Sequence, residues 1–442
     1  MHTLSPSAGQ VHGLAALPLD GAAIRADFPI LQQTDDKGNP LAYLDSASSS
    51  QKPTPVLDAL DDYYRHANAN IHRGRYALSD LATARYENAR ERVAAFLNAP
   101  SPRQCVFVRN TTEAINLVAH SWGRSFLQPG DVVACTLLDH HSNLVPWQLA
   151  TEARGARLVH VGITPDGRLD MNHLDEILAL RPRLVAFPLV SNAIGTTVEA
   201  AEVIRRAKAA GALTLVDAAQ GAPHLPLDVQ ALGCDFLALS GHKLLAPMGS
   251  GVLFARTDLL DAMPPFMAGG GMVRRVEPGR ATWASAPEKF EAGTPAVGEA
   301  IGLGVAVDYL ANLGLDRVHA HEVRLAERAR AGLETIPGVT IRGPLDPALR
   351  GGIVSFTVAG LDPVEIAARL DAANIAVRAG MHCCHPLFDA LGLDGIVRAS
   401  FYVYNTEGDA DRLVAAVGDA AATLAPRAFA IDPANPCRRP VA

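Results

Sequence analysis

Short apolar runs alternate with amphipathic stretches along most of the chain. The predicted strands are rich in apolar and β-branched residues and cover residues 105–109, 131–137, 183–190, 212–217, 235–240 and 251–255. Between them, apolar residues recur at helical spacing, for example from Leu81 to Leu97 and from Val203 to Ala210. This alternation is typical of βαβ units. It predicts a large α/β/α sandwich domain over residues 21–298 with a mostly parallel sheet.

The pattern changes at about Glu299. A long helical stretch with one glycine-marked break continues to Leu333 and is followed by predicted strands over 339–343 and 351–360. A helix beginning at Asp362-Pro363, strands within 375–380 and 397–406, and a closing helix complete the pattern. We therefore expect a smaller α+β domain over residues 299–425, which the first residues of the large domain can join.

Both ends of the chain are broken by glycine and proline. We interpret residues 1–20 as a flexible N-terminal arm and residues 426–442 as a C-terminal tail. The chain shows no tandem repeat.

Composition narrows the classes of protein that fit. Hydrophobic residues make up 49% and charged residues 19% of the 442 residues, the balance of a globular protein with a sizeable core. The net charge of −7 argues against nucleic acid as a partner. No apolar run approaches the ~20 residues of a membrane helix, and no secretory signal is evident, so we expect a cytoplasmic protein. Six cysteines in so long a chain are not a disulfide framework.

Polar residues follow five of the predicted strands, where ligands of open α/β sheets bind. These residues are Asn110 to Glu113, Asp139 to Asn143, Ser191 with Asn192, Asp217 with Gln220, and Ser240 to Lys243. Thr111 and Thr112 open a helix, where hydroxyls and free N–H groups can bind an anion. A plain helix cap is the alternative interpretation there, and a loop histidine or a turn is the alternative at His140 and Asn192.

Asp217 and Lys243 indicate more specific chemistry. Lys243 lies between a buried strand and an apolar, glycine-rich segment, and burial lowers a lysine pKa and makes the amine nucleophilic. A lysine that forms a Schiff base and a carboxylate that keeps the pyridine nitrogen protonated are the two groups that pyridoxal phosphate needs. The alternative is an internal Asp–Lys ion pair.

The segment from Arg378 to Pro386 contains adjacent cysteines, Cys383 and Cys384, flanked by basic residues. The cysteines lack the C-x-x-C spacing of a zinc site, and we predict no metal. Because positive neighbours lower a thiol pKa, we interpret Cys383 as a nucleophile, with a buried free cysteine as the alternative. Arg398 has the planar fork that binds a carboxylate; a strand-edge salt bridge is its alternative role.

Nine segments carry a more specific pattern. They are LDSASSSQKP (44–53), NANIHRG (68–74), RNTTEAINLVAHSWG (109–123), LDHHSNLVPWQ (138–148), VSNAIGT (190–196), VDAAQG (216–221), DFLALSGHKLLAPMGSGVL (235–253), FEAGTP (290–295) and RASFYVYNT (398–406). These segments resemble the Suf-type (group II) cysteine desulfurases, which are class V aminotransferase-like enzymes of the fold-type-I pyridoxal phosphate group. The resemblance extends from about Phe28 to Leu424.

The resemblance implies a role for each matching residue. Lys243 would bind the cofactor covalently, Asp217 would contact its pyridine nitrogen and His140 would stack on its ring. Gln220 and Asn192 would bind on the side of the phenolic oxygen. Thr112, Ser240 and His242 would bind the phosphate, and Thr111 would be a further cofactor contact. Thr294 would reach the phosphate of the partner subunit, which implies a homodimer. Arg398, assisted by Asn192 and Arg378, would bind the carboxylate of L-cysteine, and Cys383 would take the sulfur as a persulfide, leaving alanine.

Three departures from the family pattern are present. The family usually has His-His-Cys-Ala at the nucleophile, whereas this chain has Met381, His382, Cys383 and Cys384; Asn110 also stands where glycine is usual. Alternatives are a selenocysteine lyase acting on L-selenocysteine, a relative performing transamination or β-elimination with Cys383 idle, and a scaffold partner recruited through the arm. The desulfurase interpretation implies a sulfur-acceptor protein and iron–sulfur cluster or other sulfur supply.

Overall fold

A computed structural model describes residues 19–424. The predicted arm lies outside the described residues up to residue 18, and the predicted tail, 426–442, lies outside them entirely. Leu19 is buried, and the carboxylate of Asp20 caps the first helix by accepting hydrogen bonds from the N–H groups of Ala22 and Ala23. Leu19 and Asp20, which we expected to belong to the arm, therefore contact the residues that follow them.

The strands lie in chain order as follows: β1 (Ala42–Tyr43), β2 (Cys105–Val108), β3 (Val132–Thr136), β4 (Arg157–Val161), β5 (Leu184–Pro188), β6 (Leu213–Asp217), β7 (Phe236–Ser240), β8 (Gly251–Ala255), β9 (Val273–Glu277), β10 (Arg280–Trp283), β11 (Val339–Arg342), β12 (Ile353–Val358), β13 (Ile375–Ala376), β14 (Arg378–Gly380) and β15 (Ile396–Ser400).

The helices are α1 (Gly21–Arg25), α2 (Thr54–Asp62), α3 (Ala77–Phe96), α4 (Thr111–Val118), α5 (Arg124–Phe126), α6 (Val145–Arg154), α7 (Met171–Ala179), α8 (Ala200–Ala209), α9 (Val229–Leu232), α10 (Thr257–Ala262), α11 (Val297–Leu313), α12 (Leu315–Leu333), α13 (Pro363–Asp371), α14 (His385–Leu391) and α15 (Glu407–Thr423). Short π-helical segments extend α2 and α4.

The described residues form a seven-stranded sheet in the order β2-β8-β7-β6-β5-β3-β4. Strand β8 runs antiparallel to both of its neighbours, β2 and β7, and the other neighbouring strands of this sheet are parallel to each other. Alternate residues of the central strands point to opposite faces: Leu184 and Ala186 join the apolar cluster on one side, and Val185 and Phe187 join the cluster on the other. Apolar cover on both faces is what a parallel sheet requires. The expected α/β class is confirmed.

All six predicted strands of this sheet are present, but the prediction omitted β4 at its edge. Most residues of β4 are partly exposed, so its sequence lacks the continuous apolar run by which the central strands were recognised. The helical stretch predicted over 299–333 is present as two helices, α11 and α12, and the predicted glycine-marked break between them is Gly314 at φ +83°.

The C-terminal part contains a four-stranded sheet in the order β11-β12-β15-β14, packed against α12, α13 and α15. The strand expected within 375–380 is divided between β13, which pairs with β1, and β14, which pairs with β15. Residue Asp45 also bridges to Ser400. Residues near the start of the chain are thus attached to the smaller sheet, close to Arg398. No helix within residues 19–424 is long and apolar enough to cross a membrane.

Candidate active site

A cavity of about 520 Å³ lies at the carboxyl ends of the parallel strands, beside the smaller sheet. Its volume is in the range of ordinary ligand pockets. It is lined by twelve of the thirteen predicted site residues: Thr111, Thr112, His140, Asn192, Asp217, Gln220, Ser240, His242, Lys243, Arg378, Cys383 and Arg398. The expectation that residues at separate strand ends meet at one place therefore agrees with the geometry.

Thr294 lies elsewhere. It is exposed, and of the described clefts it borders one of about 400 Å³ lined by Phe107 and Phe266 and one of about 280 Å³ beside Tyr64. Within a single chain it is not among the residues that line the main cavity.

Asp217, which is buried, and Lys243, which is half-buried, both line the cavity. Asp217 ends β6, and its Oδ1 accepts a hydrogen bond of 2.9 Å from the N–H of Ala219, while burial raises the pKa of the carboxyl. Burial lowers the pKa of Lys243 to about 8, an effect that nearby Asp217 opposes. A lysine with this pKa is partly unprotonated near neutral pH and therefore nucleophilic.

The N-terminus of α4 forms one end of the cavity. Asn110 caps the helix by accepting the N–H of Glu113 at 2.9 Å, so the plain-cap interpretation is correct for this residue. The hydroxyl of Ser240, at the end of β7, accepts the N–H of Thr111 at 2.9 Å and donates to its Oγ1 at 2.8 Å. These bonds fix a helix N-terminus, which favours anions, against the strand end that carries the lysine.

His140 and His242 both line the cavity, as neutral imidazoles. Burial, with a contribution from Lys243, lowers the pKa of His140 to about 3 and that of His242 to about 4. The Nδ1 of His140 lies 2.8 Å from Oγ of Ser142. The His140 loop is anchored by Asp139, a buried carboxylate that accepts hydrogen bonds from Thr136 and Asn143. Sequence reasoning gave Asp139 no such role.

Arg398 is buried and Arg378 is exposed, and the two are direct cross-strand partners on β15 and β14. Asp45 lies between them, with Oδ1 3.0 Å from Nη2 of Arg398 and Oδ2 3.3 Å from Nη2 of Arg378. Arg398 also donates to the carbonyl oxygen of Asn192 at 2.7 Å and to Oγ of Ser48 at 2.6 Å. The proposed salt bridge thus exists, and it holds the guanidinium at the cavity wall.

The turn before α14 presents Cys383 at the cavity. Cys383 is exposed, whereas Cys384 is buried, and burial raises the pKa of the Cys384 thiol. The Cys384 thiol donates to Oδ1 of Asn192 at 3.2 Å, and Nδ2 of Asn192 donates to the carbonyl oxygen of His382 at 2.8 Å. The oxygen and the nitrogen of the Asn192 side-chain amide therefore both hold the turn, and the contact of Asn192 with a cofactor stays a prediction.

Four buried polar atoms of residues that line the cavity lack a hydrogen-bond partner among the described residues: Oε1 of Gln220, Nε of Arg398 and both ring nitrogens of His382. Nε2 of Gln220 donates one hydrogen bond to the carbonyl oxygen of Ala47 at 2.5 Å, and Oε1 remains free to accept one from a ligand. Because buried polar atoms are normally satisfied, these atoms indicate that a polar ligand completes the site. Across residues 19–424, no three His, Cys, Asp or Glu side chains are grouped so as to hold a metal ion.

This mostly parallel sheet, with a half-buried lysine and a buried carboxylate at its strand ends, defines the class of fold-type-I pyridoxal phosphate enzymes. Residues 42–413 match the family model described as aminotransferase class-V. The chain belongs to the class-V aminotransferase family and groups with its cysteine desulfurases.

Relatives match along nearly the whole chain. The chain is 46% identical over 400 residues to a probable cysteine desulfurase of Streptomyces coelicolor, covering 90% of this chain and 96% of that protein. It is 48% identical over 399 residues to a cysteine desulfurase of Dickeya dadantii, covering 90% and 95%.

Solved structures agree in fold. The cysteine desulfurase CsdA of Escherichia coli superimposes with a TM-score of 0.85 at 40% identity, covering 92% of this chain and 99% of that one. An apo cysteine desulfurase of Thermococcus onnurineus gives a TM-score of 0.88 at 37% identity, covering 93% and 100%.

Members of this family use pyridoxal phosphate, and the residues present fit that cofactor. The fit rests on four features of the cavity: the amine of Lys243, the carboxyl of Asp217, the N-terminus of α4 and the unpartnered Oε1 of Gln220. They supply, in turn, a covalent attachment point, a partner for a ring nitrogen, a phosphate site and a hydrogen-bonding group.

Proposed function

We propose that this protein is a cysteine desulfurase, which converts L-cysteine to L-alanine and collects the sulfur as a persulfide on Cys383. The observation that carries the proposal is that an exposed thiol, Cys383, faces the same cavity as Lys243 and the buried Arg398. A lysine-bound cofactor site and a separate nucleophile are both needed to move sulfur onto the enzyme. The relatives named cysteine desulfurase favour the same reaction.

The proposal assigns a role to each site residue, and Lys243 has two, cofactor attachment and proton transfer. Lys243 attaches the cofactor, Asp217 binds its pyridine nitrogen, and His140 packs on its ring. The remaining cofactor contacts come from Gln220, Asn192, Thr111, Thr112, Ser240 and His242. Bound pyridoxal phosphate supplies an electron sink that labilises bonds at Cα and Cβ of the substrate. Arg398 binds the substrate carboxylate, assisted by Arg378, and the Lys243 amine carries the proton to and from the substrate carbon.

The sulfur transfer is balanced without an external oxidant. The Cys383 thiolate attacks the substrate sulfur, so that a sulfur–sulfur bond forms as the Cβ–S bond breaks. The electron pair of the broken bond remains on the substrate carbon, which is protonated to give alanine. A persulfide is left on Cys383, and a thiol reductant or an acceptor protein then removes its outer sulfur.

Cys383→Ser tests this proposal. We expect the variant to keep the cofactor absorption but to lose alanine and sulfide release from L-cysteine, because serine cannot form a persulfide. Cys384→Ala is the matched control. Since Cys384 is a buried thiol, we expect its loss to leave turnover with a strong reductant nearly unchanged. Full cysteine turnover by Cys383→Ser contradicts the proposal, and wild-type activity restricted to L-selenocysteine favours a selenocysteine lyase.

The subgroup, location, domain bounds and sulfur destination of the enzyme are inferred from the family resemblance of the sequence. We infer a Suf-type (group II) enzyme of the cytoplasm, divided into domains at 21–298 and 299–425, that supplies sulfur to an acceptor protein for iron–sulfur cluster assembly or another sulfur pathway. The free cysteines among the described residues suit a reducing compartment.

We also propose a homodimer in which Thr294 contacts the phosphate in the partner subunit. Its exposure and the apolar cleft beside it, which contains Phe266 and Met267, support an interface there. Sedimentation of the wild type and the cofactor affinity of Thr294→Ala test it: a monomer, or an unchanged affinity, contradicts it.

A further inference from the structure

The turn that carries Cys383 is hydrogen-bonded to His141, the neighbour of the cavity-lining His140. The backbone N–H of His141 donates to the carbonyl oxygen of Cys383 at 2.9 Å. Its imidazole Nε2 accepts the backbone N–H of His385 at 3.2 Å, and the rings of His141 and His385 meet edge to face with centroids 4.5 Å apart. One residue thus binds the backbone on both sides of Cys384.

The turn needs such support because its backbone is strained. His382 has φ +50° and Cys383 has φ +58°, the left-handed region that side chains other than glycine rarely adopt. Such a conformation persists only where surrounding contacts determine it, and strain of this kind concentrates at functional sites.

His141 is well placed to give that support because its own segment is rigid. It begins a short 3₁₀ turn, His141–Asn143, whose last residue is fully buried. Nδ2 of Asn143 donates to Asp139 at 2.7 Å, and the indole N–H of Trp147 donates to Oδ1 of Asn143 at 3.1 Å. These hydrogen bonds fix the segment that follows β3, and His141 in this segment binds the turn that carries Cys383.

The hydrogen bond also defines the state of the His141 ring. A backbone N–H can only donate, so Nε2 of His141 must carry a lone pair and the ring proton must be on Nδ1. The neutral ring is favoured because burial, and to a lesser extent His385, lowers the pKa of His141. His141 does not itself line the cavity among the described residues, unlike its neighbour His140.

We propose that His141 is a positioning residue for sulfur transfer: its backbone N–H and neutral imidazole together hold Cys383 in the strained turn that faces the substrate. The proposal rests on the proposed desulfurase function. Its effect falls on the step performed by Cys383, and not on cofactor attachment at Lys243 or substrate binding at Arg398.

His141→Leu and His141→Gln separate this role from packing. Leucine removes the acceptor, and we expect persulfide formation on Cys383 in a single turnover to slow on the order of tenfold, the effect of one lost hydrogen bond. Glutamine offers Oε1 at similar reach and is expected to restore the rate to within about threefold. Both variants should keep the wild-type cofactor absorption and KM for cysteine.

His173→Leu is the matched control, because Nδ1 of His173 also accepts a backbone N–H, from Gly162 at 3.0 Å, but outside the residues that line the cavity. It is expected to leave the single-turnover rate unchanged. If His141→Leu fails to fold, His141→Asn replaces it, since its shorter side chain does not reach the N–H of His385.

The alkylation rate of Cys383 by iodoacetamide in the holoenzyme is a second readout that does not depend on desulfurase activity. We expect faster alkylation in His141→Leu, because the turn is released, and the wild-type rate in His141→Gln. Wild-type persulfide and alkylation rates in His141→Leu, or a Gln variant as impaired as the Leu variant, overturn the proposal. A wild type that forms no persulfide refutes the proposed function instead, while the alkylation rates still decide the role of His141.

Discussion

Arg398→Lys tests how the cavity recognises its substrate. Lysine keeps the positive charge but lacks the planar guanidinium. It therefore cannot bind Asp45 and Ser48 through one nitrogen and offer another nitrogen to the substrate carboxylate. In the structure, Arg398 is 2% exposed and already makes three hydrogen bonds, which leave Nε without a partner among residues 19–424.

The expected magnitude follows from these bonds. A hydrogen bond between charged groups contributes about 1.5–3 kcal/mol. Losing one such bond to the substrate carboxylate, together with the fixed orientation of the guanidinium, costs about 3 kcal/mol of transition-state binding. At about 1.4 kcal/mol per factor of ten, kcat/KM for alanine release should fall on the order of 100-fold.

Arg378→Lys is the comparison within the same site. Arg378 also pairs with the carboxylate of Asp45, at 3.3 Å, but its side chain is 53% exposed, and an exposed ion pair contributes little. We expect a loss in kcat/KM of less than about tenfold, measured as initial rates of alanine release over a range of cysteine concentrations. Equal losses in the two variants, or a loss of less than about threefold in Arg398→Lys, refute the reasoning.

Two further predictions concern titratable groups. Lys243→Ala should abolish the visible absorption of lysine-bound cofactor, and covalent cofactor found after borohydride reduction and peptide mapping of this variant contradicts the assignment. Glu322, fully buried 2.9 Å from Nδ1 of His224, has its pKa raised by burial from 4.5 to about 7. The stabilisation that comes from a raised folded-state pKa is fully present below the unfolded pKa and is lost as pH rises through the folded pKa. Relative to Glu322→Gln, the wild type should therefore lose about 3 kcal/mol of unfolding free energy between pH 4.5 and pH 7. Thermal unfolding of both proteins across this range measures it, and a constant difference contradicts it.

The sequence predicted the members of the site better than their contacts. The end of each parallel strand is marked in the sequence by the change from apolar to polar residues. Because the carboxyl ends of parallel strands lie at one edge of the sheet, Asp217 and Lys243 could be expected to lie close together. The same reasoning could not find Asp45 as the partner of Arg398, because 353 residues separate them and a pattern along the chain carries no information about such pairs. Asp45 was within a recognised segment, and that was its only signal.

His141 and Asp139 were missed for a related reason. They adjoin His140 in sequence, and a polar loop of this kind is usually exposed. Here Asp139 is buried, and the backbone N–H of His141 donates to Cys383 in the turn before α14. The tightly packed turn before α14 is also where two residues other than glycine adopt positive φ, which no propensity predicts.

Mapping the persulfide tests the central claim most directly. The holoenzyme is given one equivalent of L-cysteine, the product is trapped with an alkylating reagent, and peptides are analysed by mass spectrometry. We predict that the peptide containing Cys383 and Cys384 carries one additional sulfur atom, that fragmentation assigns it to Cys383, and that alanine is released in equal amount. An additional sulfur assigned to Cys384, or alanine released with no additional sulfur on the protein, would contradict the account.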